Sequence, residues 1–495
     1  MFRIFLFLCG LLGLATDGFS KSFVFDYSPN CQKAYQEYMA MRLDAGNEAI
    51  RKEIIQNPRN LMATYIADYE DCILLLFNGS KQEYAQRKHH LDIRLNLIGK
   101  GADDDPWYRL CKSGIYFHWA LVQFRFGENL KAATTFRKSY RLIKENQEKF
   151  PNFPQNQIFL GMQEAVVGTI PDEYKWLASI FGMRGDVKKG MQKMAQFLEQ
   201  TSADEPLKEE AILYYHYLRF YLLSAQEDVW QFMHSNQFPV SGNLLRSFVK
   251  ANVALNYRKG EVALDVLKKA STLKEYHQFP IMDYELGRAH ILQLNCKEAI
   301  TTFQHFLSRY EGRIFVKDAL QQISLSYYLL QNINKATEYR KKILTEGTAS
   351  TDADKQAKRF AESTFWPALP ILQARLLIDG GYYKEALARL EKQDPNSFNA
   401  QVDKIEYYFR SGRAYDELRH DKLAIQYYQH TIDMGRNRKE HFAARSALQI
   451  ARIYERNKQY KEAIERYKEC LSMKGHDFQT NIDQQAKAGL NRLTR

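Results

Sequence analysis

Four arginines are the side chains best suited to chemistry in this chain. Arg288, Arg375, Arg413 and Arg452 each follow directly on a small residue, Gly287, Ala374, Gly412 and Ala451. A guanidinium is permanently charged and offers a planar fork of donors that matches a carboxylate or a phosphate. Such a row can bind an anion. Other chemistry finds no pattern to rest on. There is no Gly-rich phosphate loop, no GxSxG nucleophile turn and no HExxH helix. "KHHLD" at 88–92 places two His side by side. On a helix they point about 100° apart and make poor co-ligands, so an exposed polar turn is expected. "GADDDP" at 101–106 lacks the spacing of a calcium loop and reads as a solvated linker capping a helix that starts near Trp107. "NGS" at 78–80 fits a glycan acceptor in a host that glycosylates, and a turn otherwise. The aromatic run "YYHYLRFYLL" at 214–223 reads as a helix buried on two sides. No metal, no cofactor and no enzymatic reaction is expected.

The elements that position the arginines are legible as repeats. A small residue followed by Ala twelve positions later occurs as Gly287/Ala299, Ser324/Ala336, Ala374/Ala386, Gly412/Ala424 and Ala451/Ala463. Weaker copies are Ala251/Ala263, Ala120/Ala132 and Ala178/Gly190. Large residues keep register with them: Tyr327, Tyr415 and Tyr454 three after the small residue, and Phe136, Phe303, Leu390, Tyr428 and Tyr467 four after the Ala. Two antiparallel helices in close contact need small side chains at their nearest approach, with large ones filling the holes around it. Twelve residues span the rest of one helix, a short turn and the start of the next. From Ala263 the second-helix alanines step by 36, 37, 50, 38 and 39 residues. Such intervals predict stacked helical hairpins. The long step marks an insertion at 345–366, a polar loop followed by a short extra helix.

The pattern resembles the tetratricopeptide repeat, whose signature is W-x2-L-G-x2-Y, then A-x3-F, then Pro. "ALQIARIYERNKQYKEAIERYKEC" (447–470) matches it with Ile450, Ala451, Tyr454, Tyr460, Ala463 and Tyr467. "YFRSGRAYDELRHDKLAIQYY" (408–428) matches with Tyr408, Gly412, Tyr415, Ala424 and Tyr428, and 285–303 with Leu286, Gly287, Ala299 and Phe303. The closing Pro is missing from all three. The segment 169–194 resembles more narrowly the tetratricopeptide-repeat-39 and inclusion-body-clearance family, in its Phe-Gly-x-x-Gly-Asp between two helices. The resemblance implies an all-α fold, a right-handed α-solenoid of stacked helical hairpins. It also implies that the stripe one residue past the signature Gly lines the concave groove. That stripe reads Arg288, Leu325, Arg375, Arg413, Arg452, and one turn earlier Tyr284, Gln321, Ile371, Phe409, Leu448. Arg288, Arg375, Arg413, Arg452, Tyr284 and Phe409 are thus the candidate partner-binding residues. Two readings stay open. The arginines capture an acidic peptide or a C-terminal carboxylate, or Glu285, Asp416, Glu417 and Glu455 neutralise them as inter-repeat ion pairs.

Composition sets the wider frame. The chain has 495 residues, 45% of them apolar, with 12 Pro and a net charge of +12. Residues 1–20 pair Arg3 with the apolar run from Ile4 to Ala15, then Gly18 and Ser20, the layout of a cleaved secretory signal. Export, to a periplasm or out of the cell with cleavage near Ser20, is the expectation, and an exported chain meets no nucleic acid. Five cysteines then remain, with no CxxC pair; the odd number leaves at least one thiol free, and Cys296 and Cys470 read as buried small residues. The expected order is a leader at 1–20, degenerate helical repeats at 21–240, repeats at 241–344, the insertion, repeats at 367–475 and a capping helix at 476–495. The expected role is a non-enzymatic scaffold or adaptor for protein or peptide partners, acidic ones by charge. The alternative is a basic surface protein on anionic lipid or glycan, associated peripherally with a membrane or envelope.

Overall fold

The computed structural model describes residues 22–170, 183, 185–223 and 225–494. The apolar leader and Ala178 lie outside them, with Phe181, Gly182 and Arg184 of the Phe-Gly-x-x-Gly-Asp segment. Among the described residues the chain is all-α, its only β-pairing a bridge between Val24 and Asn60. Successive helices pack as antiparallel pairs: Pro106–Arg125 with Asn129–Lys149, Leu244–Asn256 with Gly260–Ala270, Ile281–Leu292 with Cys296–Arg309 and Val316–Leu329 with Ile333–Thr345. The ladder continues with Leu369–Gly380 on Tyr383–Leu390, Gln401–Glu417 on Asp421–Gly435 and Phe442–Arg456 on Tyr460–Ser472. The helix Gln479–Leu493 then covers the last pair. In the insertion, the helix Asp352–Glu362 is tied down by Arg340, whose guanidinium lies 4.2 Å from the Phe360 ring centre and 4.6 Å from that of Trp366.

The repeat residues sit where close approach requires them. Ala263, Ala299, Ala336, Ala386, Ala424 and Ala463 are fully buried. A Cβ on Gly412 would stand 2.8 Å from the ring of Tyr428, so the aromatic of the second helix lies flat over the missing side chain of the first. The turns share one backbone device. Seven residues past each small residue the chain turns left-handed, at Gly127, Arg258, Leu294, Gln331, Gly381, Arg419 and Lys458. The next amide then reaches back to the carbonyl five residues earlier, as in Gln459 N–H to Tyr454 O at 2.9 Å and His420 N–H to Tyr415 O at 2.9 Å. This satisfies last-turn carbonyls that the helix leaves open.

The stack winds tightly. The helices Ile281–Leu292 and Leu369–Gly380 touch across the intervening repeat, so first helices line the inner side of the turn. Gly380 and Gly381 press on the turns of two earlier repeats, and a Cβ on Gly381 would lie 2.0 Å from Arg258 O. The N-terminal helices also contact the middle of the chain. Asn78 Nδ2 donates to Gln278 O at 3.1 Å, Arg42 to Gly242 O at 2.6 Å, and Arg125 to the Tyr310 hydroxyl.

Two local expectations meet a different outcome or a definite partner. In the aromatic run, Leu213, His216 and Phe220 are buried, but Tyr217 and Tyr221 are exposed at 39% and 45%. Their rings meet one turn apart at a tilt, centres 4.7 Å apart, and the Tyr221 hydroxyl donates to Asn252 at 2.8 Å while both rings keep an exposed face. Burial is therefore one-sided there. Asp105 caps the helix from Pro106, its carboxylate accepting from Trp107 N–H at 2.8 Å. Cys31, Cys72, Cys111, Cys296 and Cys470 are all buried, unpaired thiols.

Candidate partner-binding groove

The repeat register delivers the four arginines to equivalent places on successive first helices, and their surroundings then diverge. Arg288 is held by Glu285, one turn earlier, at 2.7 Å. Together with Tyr284, Asp318, Asp379 and Arg258 it borders a polar cleft of about 580 Å³. Arg375 makes a two-point contact with Glu406 of the next repeat, Nε to Oε1 at 2.8 Å and Nη2 to Oε2 at 2.6 Å. Glu406 also accepts from Arg410 Nε at 2.9 Å. Burial opposes its charge, yet Arg375 and Arg410 hold its carboxyl down at about 2. Arg413 donates to Glu417 at 2.9 Å, and the same oxygen accepts from Arg258 at 2.9 Å. Three of the four arginines are thus paired internally, two of them with the acids Glu285 and Glu417 that the sequence singled out. Asp416 and Glu455 turn elsewhere, to Arg456 and Arg492.

Arg452 differs. Among the described residues its guanidinium meets only amide oxygens, Gln449 at 3.2 Å and Gln485 of the capping helix at 2.8 Å. Burial lowers its pKa, and the like charges of Arg413 and Arg492 add to that. The two aromatic candidates need correction. Tyr284 is 3% exposed, its ring stacked on Phe315 and its hydroxyl donating to Asp318 at 2.8 Å. Phe409 is 4% exposed and packs among Tyr428 and Phe442. Each ring is spent on core packing and gives a partner almost no surface.

The sequence reading missed Arg445. It lies seven residues before Arg452 on the same helix, hence on the same face. In the preceding repeat that register position, six before the small residue, is held by Glu406. The carboxylate that satisfies two arginines there is replaced here by a third cation. Half-buried, the Arg445 guanidinium has no hydrogen-bond or ion-pair partner among the described residues. Burial, and then the charges of Arg452, Arg413 and Arg258, pull its pKa down to about 10. The signal in the sequence was the i, i+7 spacing of two arginines around a lone Gln449.

Comparison with known proteins places these helices. The tetratricopeptide-repeat family profile matches residues 405–434 and 444–477. No curated protein matches the chain in sequence. Among solved structures, a monomeric mutant of IFIT1 with Gppp-AAAA is 12% identical over 91% of this chain and 92% of its own, with a TM-score of 0.36. The TPR domain of P58(IPK) is 16% identical over 86% and 97%, TM-score 0.22. The APC/C hetero-tetramer Cut9–Hcn1 is 12% identical over 94% and 95%, TM-score 0.26. The profile covers the two hairpins that carry Arg413, Arg445 and Arg452, and the chain carries tetratricopeptide repeats within an all-α solenoid of stacked helical hairpins.

Proposed function

We propose that this protein is an exported, non-enzymatic scaffold that holds an acidic segment of a protein partner against Arg445 and Arg452. Tetratricopeptide repeats are protein-interaction elements, and the proposal refines that role with a site and a charge. The observation that carries it is Arg445: a half-buried guanidinium beside three others and without a counter-ion. An acidic segment would supply the carboxylate that Glu406 supplies one repeat earlier. Charge-assisted, two-point contacts at a partly desolvated site are the stronger kind of polar contact. The leader-like N-terminus supports export.

Fluorescein-labelled octaglutamate, titrated at low salt, tests the site. Charge reversal at Arg445→Glu with Arg452→Glu is expected to weaken binding at least about tenfold, equivalent to ~1.4 kcal/mol. Arg288→Glu, far along the stack and already paired, is expected to change it little. Equal loss in both variants would mean diffuse attraction by net charge, and no loss in the double variant would remove the site.

A further inference from the structure

The N-terminal half holds a second feature, unrelated to the arginines. Between the helices Asp68–Asn78, Pro106–Arg125, Asn156–Gly168, Lys208–Leu222 and Leu244–Asn256 lies a cavity of about 400 Å³. Its wall is carbon almost throughout, from Leu76, Leu121, Met162, Leu213 and Val249 among others. Val166 and Tyr217, 37% and 39% exposed, mark its open side. Protein interiors leave few voids larger than a water molecule, and water in a carbon-walled space finds no partners. The volume is in the range of sites that enclose a small molecule.

The inner end of the cavity explains why the walls do not close. His118 and Glu210 border it, both nearly fully buried. Asp68 binds His118 Nδ1 at 2.9 Å, Trp119 Nε1 at 3.0 Å and Arg94 at 2.8 Å. Glu210 accepts from the Tyr69 hydroxyl at 2.5 Å, while its own N–H donates to the Tyr35 hydroxyl at 3.0 Å. His118 Nε2 and Glu210 Oε1 face each other as an ion pair at 3.6 Å, and among the described residues neither atom has a closer hydrogen-bond partner. This network clamps three of the five helices at fixed separation. Its charges are paired throughout: Arg94 lies against Asp68 and the equally buried Asp71, Arg87 also pairs with Asp71, and His118 stands between Asp68 and Glu210. Each charged group already has a partner, so none is left to draw in an ionic head group. Cys72 borders the cavity as well, but burial pushes its thiol well above the usual range, so it stays protonated and unreactive.

We infer that this cavity binds a single alkyl chain, the tail of a fatty acid or of a lipid, methyl end inward and polar head left at the Val166–Tyr217 opening. The wall chemistry selects the class. A sugar, nucleotide or peptide backbone would bring polar groups that the wall cannot satisfy, whereas methylenes lose nothing by entering. An inward carboxylate would meet Glu210.

The test uses the full chain and cis-parinaric acid, a fatty acid that fluoresces in apolar surroundings. Saturable binding of one equivalent is expected, displaced by oleate. Leu121→Trp, at a half-buried wall position, is expected to weaken binding at least tenfold with the helical circular dichroism retained. Val249→Trp fills the space from another helix and serves should Leu121→Trp not fold. Arg445→Glu with Arg452→Glu is expected to leave parinarate binding unchanged, which separates this site from the groove. Oleate binding without uptake from phosphatidylglycerol vesicles would assign the tail to a free fatty acid; uptake from vesicles would assign it to a lipid. Absence of saturable binding, or binding untouched by both tryptophan variants, would overturn the inference.

Discussion

Arg258 and Glu417, 159 positions apart in sequence, meet at 2.9 Å on the inner side of the stack. Glu417 accepts on the same oxygen from Arg413 of its own helix. Arg258 is also one of the turn residues in left-handed conformation, pressed against Gly381. One carboxylate therefore joins two repeats, those carrying Arg258 and Arg413, and Gly381 of a third presses on the Arg258 turn. Among the described residues it is the one acid bonded to any of the four cations Arg258, Arg413, Arg445 and Arg452.

Removing that acid should trade stability for affinity. Glu417→Gln leaves Arg258 and Arg413 without their shared anion. Both ends of the pair are partly exposed, so the cost is expected to be about 0.5–1 kcal/mol in urea unfolding. The same variant should bind octaglutamate more tightly than the unaltered chain. Weaker binding would mean that Glu417 orients the arginines more than it competes for them.

Glu406 should make stability depend on acid. Its carboxyl sits at about 2 in the folded chain and near 4.3 in an unfolded one. A folded value below the unfolded one contributes stability that is complete above about pH 5 and fades as pH falls toward 2. The size expected from linkage is ~3 kcal/mol. Glu406→Gln should therefore be much less stable than the unaltered chain at pH 7, and the gap should narrow by pH 3. A gap of constant size would show that packing, not charge, ties Glu406 to Arg375 and Arg410.

The left-handed turns predict opposite effects at equivalent positions. Gln331 and Lys458 adopt φ of 59° and 60°, a conformation that strains a side chain and suits glycine. Gln331→Gly and Lys458→Gly should each raise stability by up to about 1 kcal/mol in chemical unfolding. Gly381→Ala should lower it by at least about 2 kcal/mol, because φ is 89° and the new Cβ would strike Arg258 O. If Gly381→Ala is neutral, the contact between the two turns is looser than the geometry states.

The hairpin ladder was legible because close helix approach restricts residue type: only Gly, Ser or Ala fits beneath Tyr428, Phe303 or their equivalents. The turns were legible in place but not in conformation. Five of the seven left-handed positions hold Arg, Leu, Gln or Lys, since helix packing imposes the angle whatever the side chain. The arginine stripe was read from register, and its pairing was not. Arg375 to Glu406 and Arg258 to Glu417 depend on how the stack winds, which no local spacing encodes. Arg445 escaped because a single repeat carries it. The buried network around His118 joins Asp68 to Glu210 across the degenerate N-terminal half, where no repeated residue marks the register.

His118 gives that network a signature at alkaline pH. Burial opposes its charge, but Asp68 and Glu210 on its two nitrogens hold the imidazolium up to about 9. The unfolded value is near 6.5. A folded value above the unfolded one contributes stability that is complete below about pH 6.5 and is lost as pH rises through 9. Linkage puts the contribution at ~3 kcal/mol. His118→Asn can still donate to Asp68 but carries no titrating charge. The unaltered chain should lose urea resistance between pH 6 and 9.5, and the variant should lose less over the same interval. Parallel losses would mean that His118 is neutral in the folded chain, and its pairing with Asp68 and Glu210 at the inner end of the cavity would have to be redrawn.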